Sequence, residues 1–584
     1  MKYALLFFLI FSQGICFAQL HISPSAEGDS YLYVRDRLLF VEKDINLYLN
    51  KKEHTQASLY LRKQAQLLQG FNSNIPNKGN GKISVFQKGT TGSYDYNYWG
   101  LPVAVSSPNF SLNDYIYEPI TNTLSKNAKL ISSLDGKASP LAISSNWIYT
   151  FSGTGYSNWQ YLGKYFDLLP GEGFSMKGVD GVNLNQIEEE IINPGAAQTY
   201  DFRGLPNNGK IEISVKKDQI LLLGNPYPSA IDLNKFLKDN KATTGIAYFW
   251  DSKAATNSHY VSDYVGGYGT YSPGTGQYLP PIFKRTGDGY TTGESGIYID
   301  RKTSPIAQGF MIIGKTDGVV LFDNSHRLYA GNQKEKSVFK SSEDQISLVK
   351  MNIEFSNSTK KQLILAFEDS STMEEDHAMD ARKMDYPKTD INWEIALKDY
   401  VINVRPKKEK ELIPLHLSLE AEADIEFSIA EFLNFTPDRF FIYDASQDLY
   451  YGITNGALKL NLPAGDYRER FYVSYIEKLP EEVINQTDKE VPAELKKPAR
   501  VLLNSIEIFQ NNLEHQLEVA VLYESGLSSV GIFDLNGKLV KVENFKAGKK
   551  DFIISTYNLS NAVYIVKVRT KDNIEISKKI SVKN

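Results

Sequence analysis

Cysteine is nearly absent from this chain. Cys16 is the only one in 584 residues, so no internal disulfide framework and no multi-thiolate metal site can form, and stability must come from apolar cores. Histidine is scarce as well. The seven residues His21, His54, His259, His326, His377, His416 and His515 never fall as His-x-His or His-x-x-x-His, which excludes the local zinc-hydrolase signatures. No Gly-x-x-x-x-Gly-Lys-Ser/Thr phosphate loop occurs. Gly173-Phe174-Ser175-Met176-Lys177-Gly178 approaches a Gly-x-Ser-x-Gly nucleophile elbow but carries Lys177 where the second glycine belongs. Positive charge is not in excess either: 64 Lys+Arg stand against 69 Asp+Glu, a net charge of −5 and a pI near 6.0. Nothing there attracts a phosphate backbone, so no nucleic acid is expected as a partner. Long 3.6-residue periodicity is missing, and no segment after the first residues approaches the roughly 20 apolar residues of a membrane-spanning helix.

What is present favours strands. The chain holds 36 Tyr, 30 Phe and 41 Gly, with 42% apolar and 23% charged residues. That balance suits many short strands and tight turns and excludes wholesale disorder. The length exceeds one core, since domains usually run to about 100–200 residues. The expected fold class is mostly β: a multi-domain chain of β-sandwich or jelly-roll-like modules ending in a small immunoglobulin-like domain.

Residues 1–18 read as a secretory signal peptide. Met1-Lys2 supplies the positive charge, Tyr3 to Phe11 a short apolar run, and Cys16-Phe17-Ala18 the small residues of a cleavage site, so cleavage is expected between Ala18 and Gln19. A lipoprotein signal would need a small residue before Cys16 and Leu three before it; Ile15 and Gln13 stand there instead. Residues 19–75 then form a short-strand β region of alternating segments such as Ser30-Tyr31-Leu32-Tyr33-Val34.

An internal repeat follows, with β-modules over 76–205 and 206–340. Gly81-Lys82-Ile83 returns as Gly209-Lys210-Ile211, and Trp99-Gly100-Leu101-Pro102-Val103 as Leu223-Gly224-Asn225-Pro226-Tyr227. Gly171-Glu172-Gly173-Phe174 returns as Ala307-Gln308-Gly309-Phe310. The second copy carries a Gly/Tyr-rich stretch from Gly266 to Tyr290. It reads as a long exposed loop whose Tyr268, Tyr271, Tyr278 and Tyr290 are ordinary loop tyrosines or a surface for sugar rings. Residues 341–478 form a third β-sandwich module, in which Glu374, Glu375, Asp376, His377 and Asp380 read as a solvated acidic loop rather than a metal site. Residues 479–500, rich in Pro, Glu and Lys, have linker composition, and 501–584 form the last domain.

In that domain Phe533-Asp534-Leu535-Asn536-Gly537-Lys538 is a strand end and an Asn-Gly hairpin turn. The strand around Leu559 and Tyr564 follows, then a basic terminal strand with Lys578 and Lys579. This pattern resembles the C-terminal sorting domain of cargo of the bacterial type IX secretion system, with its D-x-x-G-K/R hairpin, L-x-x-G-x-Y strand and basic C-terminal strand. Asp534, Gly537, Lys538, Leu559, Tyr564, Lys578 and Lys579 fall on it, whereas Ala562 stands where the family usually has Gly, and the Asn-Pro start is lacking. Upstream, Tyr96 to Val103, Leu223 to Asp232 and Asp376 to Ala381 are similar to modules in large surface proteins of Bacteroidota such as flavobacteria. The resemblance implies a type IX translocon as partner of the C-terminal domain, and a route through the periplasm to the cell surface or medium. The leading expectation is a non-enzymatic protein of adhesion, gliding motility or envelope contact. No catalytic residue, metal or cofactor is called for, and outer-membrane proteins or surface glycans are the further partners. A polysaccharide-binding protein or divergent glycan-active enzyme, whose two carboxylates would leave no local trace, is the alternative. An accessory subunit of an outer-membrane or secretion assembly is the second.

Overall fold

The computed structural model describes residues 19–50, 56–71, 75–104, 110–166, 168–253, 257–289, 291–331, 346–356, 359–408, 411–437, 439–476, 506–512, 514–521, 527–534, 538–545, 551–570 and 575–583. Residues 1–18, expected as a signal peptide, and 479–500, expected as a linker, lie outside the described residues, as do Asn536, Gly537 and Tyr290. The chain is mostly β, with one α-helix among the described residues, α1 (Leu233–Asp239). Asp232 caps it by accepting the Lys235 N–H at 2.9 Å, and Leu233, Phe236 and Leu237 form its buried face.

The N-terminal strands stack in parallel. Leu20 pairs with Ile45, Leu32 with Leu59, Leu38 with Gln66 and Leu59 with Ile83, partners 24 to 28 residues apart. The chain therefore winds as a short coil in which each turn lays its strands on those of the turn before. Ile45, Leu47, Leu59, Leu61 and Leu67 fill its interior.

The coil runs directly into the first repeat, β1 (Ile83–Lys88), β2 (Tyr96–Trp99), β3 (Tyr149–Gly153), β4 (Phe174–Lys177) and β5 (Thr199–Pro206). The second repeat is β6 (Ile211–Val215), β7 (Ile220–Gly224), β8 (Ala247–Lys253), β9 (Gly309–Ile313) and β10 (Gly318–Phe322). Pairings match strand for strand: β1 with β5 and β6 with β10, β2 with β4 and β7 with β9, β3 with β4 and β8 with β9. Even the register is kept, because Phe174 lies opposite Trp99 and its counterpart Phe310 opposite Leu223. The copies also exchange contacts reciprocally. The Gly100 N–H donates to the Ala307 carbonyl at 2.8 Å, and the Gly224 N–H to the Gly171 carbonyl at 2.9 Å. Trp99 bridges to Gln308, as Leu223 does to Glu172. Gly100 and Gly224 meet at the centre: a Cβ on Gly224 would stand 2.3 Å from the Gly100 Cα. Only glycine permits that approach.

Core packing crosses the module boundaries. Trp99, Phe174 and Phe202 of the first repeat share a cluster with the coil and with Ile306 and Ala307 of the second. The third module is a two-faced sheet. Val349, Met351, Leu363 and Leu365 point into its own core, while the alternating Leu348, Ile364, Ala366, Ile402 and Val404 pack on Tyr98, Leu222, Tyr248 and Met311 of the repeats. The acidic segment after Glu374 is part of this joint rather than solvated. Its Ala378 N–H donates to the Thr244 carbonyl at 2.8 Å, its carbonyl accepts the Gly274 N–H at 2.7 Å, and Asp380 is fully buried. Burial pushes the Asp380 carboxyl up to about 7 against the N–H bonds it accepts from Asp376 and Val404.

Among the described residues, the C-terminal unit has seven strands in sheets of three and four. Among the described residues, its core cluster, including Leu517, Val530, Ile554, Tyr564 and Val566, is made of residues within 508–582.

Candidate functional site

The surface over the first repeat carries a cluster of polar and aromatic side chains around Lys177. Lys177 closes β4, a strand that is buried at every position, and is itself 3% exposed. Its ammonium donates to His259 Nδ1 at 2.9 Å and to the Tyr264 hydroxyl. With Nδ1 accepting, the other ring nitrogen carries the proton and donates to Asp135 Oδ1 at 2.7 Å. Three rings surround the amine: Trp147 at 3.9 Å from Nζ to the ring centre, Tyr264 at 4.8 Å and Tyr96 at 5.1 Å. Such cation–π contacts offset part of the lost hydration. Burial nevertheless lowers the Lys177 amine to about 7, with Asp95 and Asp135 working the other way.

Two copies of the repeat build this site. Tyr96, Asp135, Trp147 and Lys177 belong to the first; His259 and Tyr264 come from the segment that follows β8 in the second. Trp147 stacks on the His259 ring at 5.1 Å and 14°, and Tyr94 packs against it at 4.8 Å. Further tyrosines continue outward. Tyr149 and Tyr161 rings lie 5.4 Å apart, while Tyr156, Tyr161 and Tyr260 are 67%, 58% and 77% exposed. Burial raises the Tyr96 phenol, and the hydroxyls of Tyr264, Tyr149 and Tyr156 raise it further. A near-neutral amine with an Asp–His pair resembles a nucleophile and its base, but catalysis needs an open approach. Lys177 is enclosed by His259, Tyr264 and the rings, so it is a buried amine, costly to charge, beneath an exposed tyrosine strip.

Among its described residues, the Gly/Tyr stretch supplies no such strip. Val265–Ser272 is a sheet strand paired with β8, and Tyr271 and Tyr278 are 1% and 3% exposed. Tyr268 is half-buried, its hydroxyl 2.8 Å from that of Tyr98. Glycine is required there because rings occupy the Cβ space, that of Tyr278 against Gly269 and that of Trp250 against Gly266.

Of the residues expected to flank a cleavage site, Gln19 is exposed and donates to Asp44 at 3.3 Å, and Ala18 lies outside the described residues. In the C-terminal unit Asp534 and Lys538 close a turn: the Asp534 N–H donates to the Lys538 carbonyl at 3.0 Å, and the Lys538 N–H to Asp534 Oδ1 at 2.9 Å. Tyr564 is core, with its hydroxyl donating to the Ser560 carbonyl at 3.1 Å, and Leu559 packs beside it. Lys578 and Lys579 are exposed on the strand Glu575–Val582, which forms one edge of the four-stranded sheet. No group of three or more His, Cys, Asp or Glu among the described residues is placed to hold a metal ion.

Comparison with known proteins divides the chain at the same place as its cores. A domain of unknown function (DUF8693) matches residues 25–475, and another domain of unknown function (DUF8694) matches 497–582. The chain belongs to the DUF8693 family. No curated protein matches it.

Proposed function

We propose that this is an exported, non-enzymatic β-protein of the cell surface or medium, delivered by a type IX secretion system that reads its C-terminal unit. Its role is adhesion, gliding motility or envelope contact. The observation that carries this reading is the self-contained C-terminal core, joined to the body through a polar linker and presenting Lys578 and Lys579 on an edge strand. A signal read by a translocon has to fold independently of its cargo. The experiment is a deletion of residues 501–584. The truncated protein is expected to stay in the periplasm with its body folded, and detection at the cell surface or in the medium at wild-type level would defeat the proposal.

A second reading, contact with glycans, is favoured by the tyrosine strip of Tyr149, Tyr156 and Tyr161. Tyrosine offers rigid amphipathic area for the apolar face of a sugar ring at low entropic cost. Loss of polysaccharide binding in Tyr156→Ala/Tyr161→Ala is its test, and unchanged binding counts against it.

A further inference from the structure

A cleft of about 380 Å³ opens between the second repeat and the third module, within the range of small-ligand sites of about 300–1,000 Å³. One wall is the hairpin Ile282–Arg285 and Thr291–Ser295; the other is the strand pair Ser347–Phe355 and Lys360–Phe367. The hairpin touches the far wall where the Thr291 and Thr359 hydroxyls meet.

Four lysines and three carboxylates line it, and each lysine has an acidic partner. Lys284 pairs with Asp385 at 2.6 Å, Lys360 with Glu354 at 2.9 Å, and Lys383 with Asp390 at 3.3 Å, while Lys361 shares Asp390 and also donates to Asn392 at 2.6 Å. Deeper in, Lys383 contacts Asp399 at 2.7 Å, and Asp399 holds His416 Nδ1 at 2.7 Å. Burial lowers the Lys361 amine. It works against Lys383 too, but Asp390 and Asp399 outweigh it and hold that amine above its ordinary value. Between the lysines, Asn352 and Gln362 face each other across the strands, with Gln362 Nε2 donating to Asn352 Oδ1 at 2.9 Å. That leaves the Asn352 NH2 and the Gln362 carbonyl oxygen for a ligand.

This pairing selects the ligand. An anion would have to separate an ion pair in a partly desolvated site, which strands a carboxylate and is costly. A neutral polyol breaks nothing. Its hydroxyls add charge-assisted bonds to lone pairs and ammonium protons that the ion pairs leave unused, and vicinal hydroxyls match the amide donor and acceptor. Pro280, Ile282 and Pro387, half-buried in the lining, supply apolar surface for the C–H face of a sugar ring.

We infer that the cleft binds a neutral pyranose, either free or as one unit of a polysaccharide. The inference deepens the glycan-contact reading but uses residues separate from the tyrosine strip, so the two can fail independently. The test measures binding of the full chain without residues 1–18 to glucose, a neutral β-glucan, a neutral mannan and the polyanion alginate. Saturable binding of a neutral ligand is expected, weakened about tenfold by Gln362→Ala and by Lys284→Ala but not by Tyr156→Ala/Tyr161→Ala. Binding of glucose as well as polymer marks a site for the free sugar; binding of polymer alone marks a chain-internal unit. A melting curve checks each variant, and Lys284→Ala at the rim decides if Gln362→Ala is misfolded. No binding of any neutral ligand, binding of alginate alone, or neutral binding untouched by the folded cleft variants would overturn the inference.

Discussion

The body of the molecule and its C-terminal unit bury apolar residues in opposite ways. In the body, clusters cross module boundaries: the coil packs with the first repeat, and the third module covers the joined repeats with the outer face of its sheet. In the C-terminal unit, one cluster closes on residues 508–582. A shared core makes each part depend on the others for its burial, whereas a closed core can fold or be removed by itself. The contrast teaches that the four modules legible in the sequence from 19 to 478 are units of pattern, not of stability.

The sharpest way to break this comparison is at the meeting of the two repeats. Gly100→Val is expected to cost more than about 4 kcal/mol, because the new side chain meets the Gly224 backbone and neither strand can yield cheaply. Thermal unfolding should lose the body transition and keep that of the C-terminal unit. Survival of part of the body as a separate transition would show that its cores are less interdependent than their packing implies.

A milder test uses pH. The folded Lys177 amine sits near 7, below its unfolded value, so the folded state binds fewer protons between those two values. Its contribution is fully present above about 10.4 and is lost as pH falls toward 7. Lys177→Met should therefore stabilise the body relative to wild type by roughly 1–2 kcal/mol near pH 7, once solvent screening is allowed for. The difference should shrink toward pH 10, as melting curves of both proteins across that range would reveal. A pH-independent difference would assign the effect to packing.

The smallest effect belongs to the closed unit. Tyr564→Phe removes the hydroxyl bond to the Ser560 carbonyl while keeping the ring in the core. It is expected to lower the stability of the C-terminal unit by about 1 kcal/mol and to leave the body transition where it was. Calorimetry of the full chain resolves the two, and a shift in both would contradict the separation of the cores.

Legibility in the sequence followed the range of the forces involved. The repeat could be read because its landmarks are local backbone demands: Gly100 and Gly224 for close approach, Gly171 and Ala307 for positive φ. The same residue type misled at Gly266 and Gly269, where glycine serves not a turn but a ring on the adjacent strand, Trp250 or Tyr278. The stacked coil escaped notice because its turns share spacing without sharing residues. The acidic segment read as solvated, since nothing near Ala378 announces that Thr244 and Gly274 will bracket it. The Lys177 cluster gathers Asp135, Trp147, His259 and Tyr264 from over 120 positions of chain, beyond the reach of any motif. One signal was there: a lysine at the end of Phe174-Ser175-Met176, in a strand patterned for burial. The cleft left even less, because its walls come from different modules.

The reciprocal contacts about Gly100 and Gly224 have a genealogical side. Two equal surfaces that each donate to and accept from the other are the geometry of an isologous homodimer, here spelled out in a single polypeptide. Covalent fusion relieves the halves of having to stay identical. One half could keep Trp99 where the other took Leu223, and one could acquire the long excursion between β8 and β9 that now reaches across its twin. The tie between the two halves is intramolecular, so it holds at any dilution.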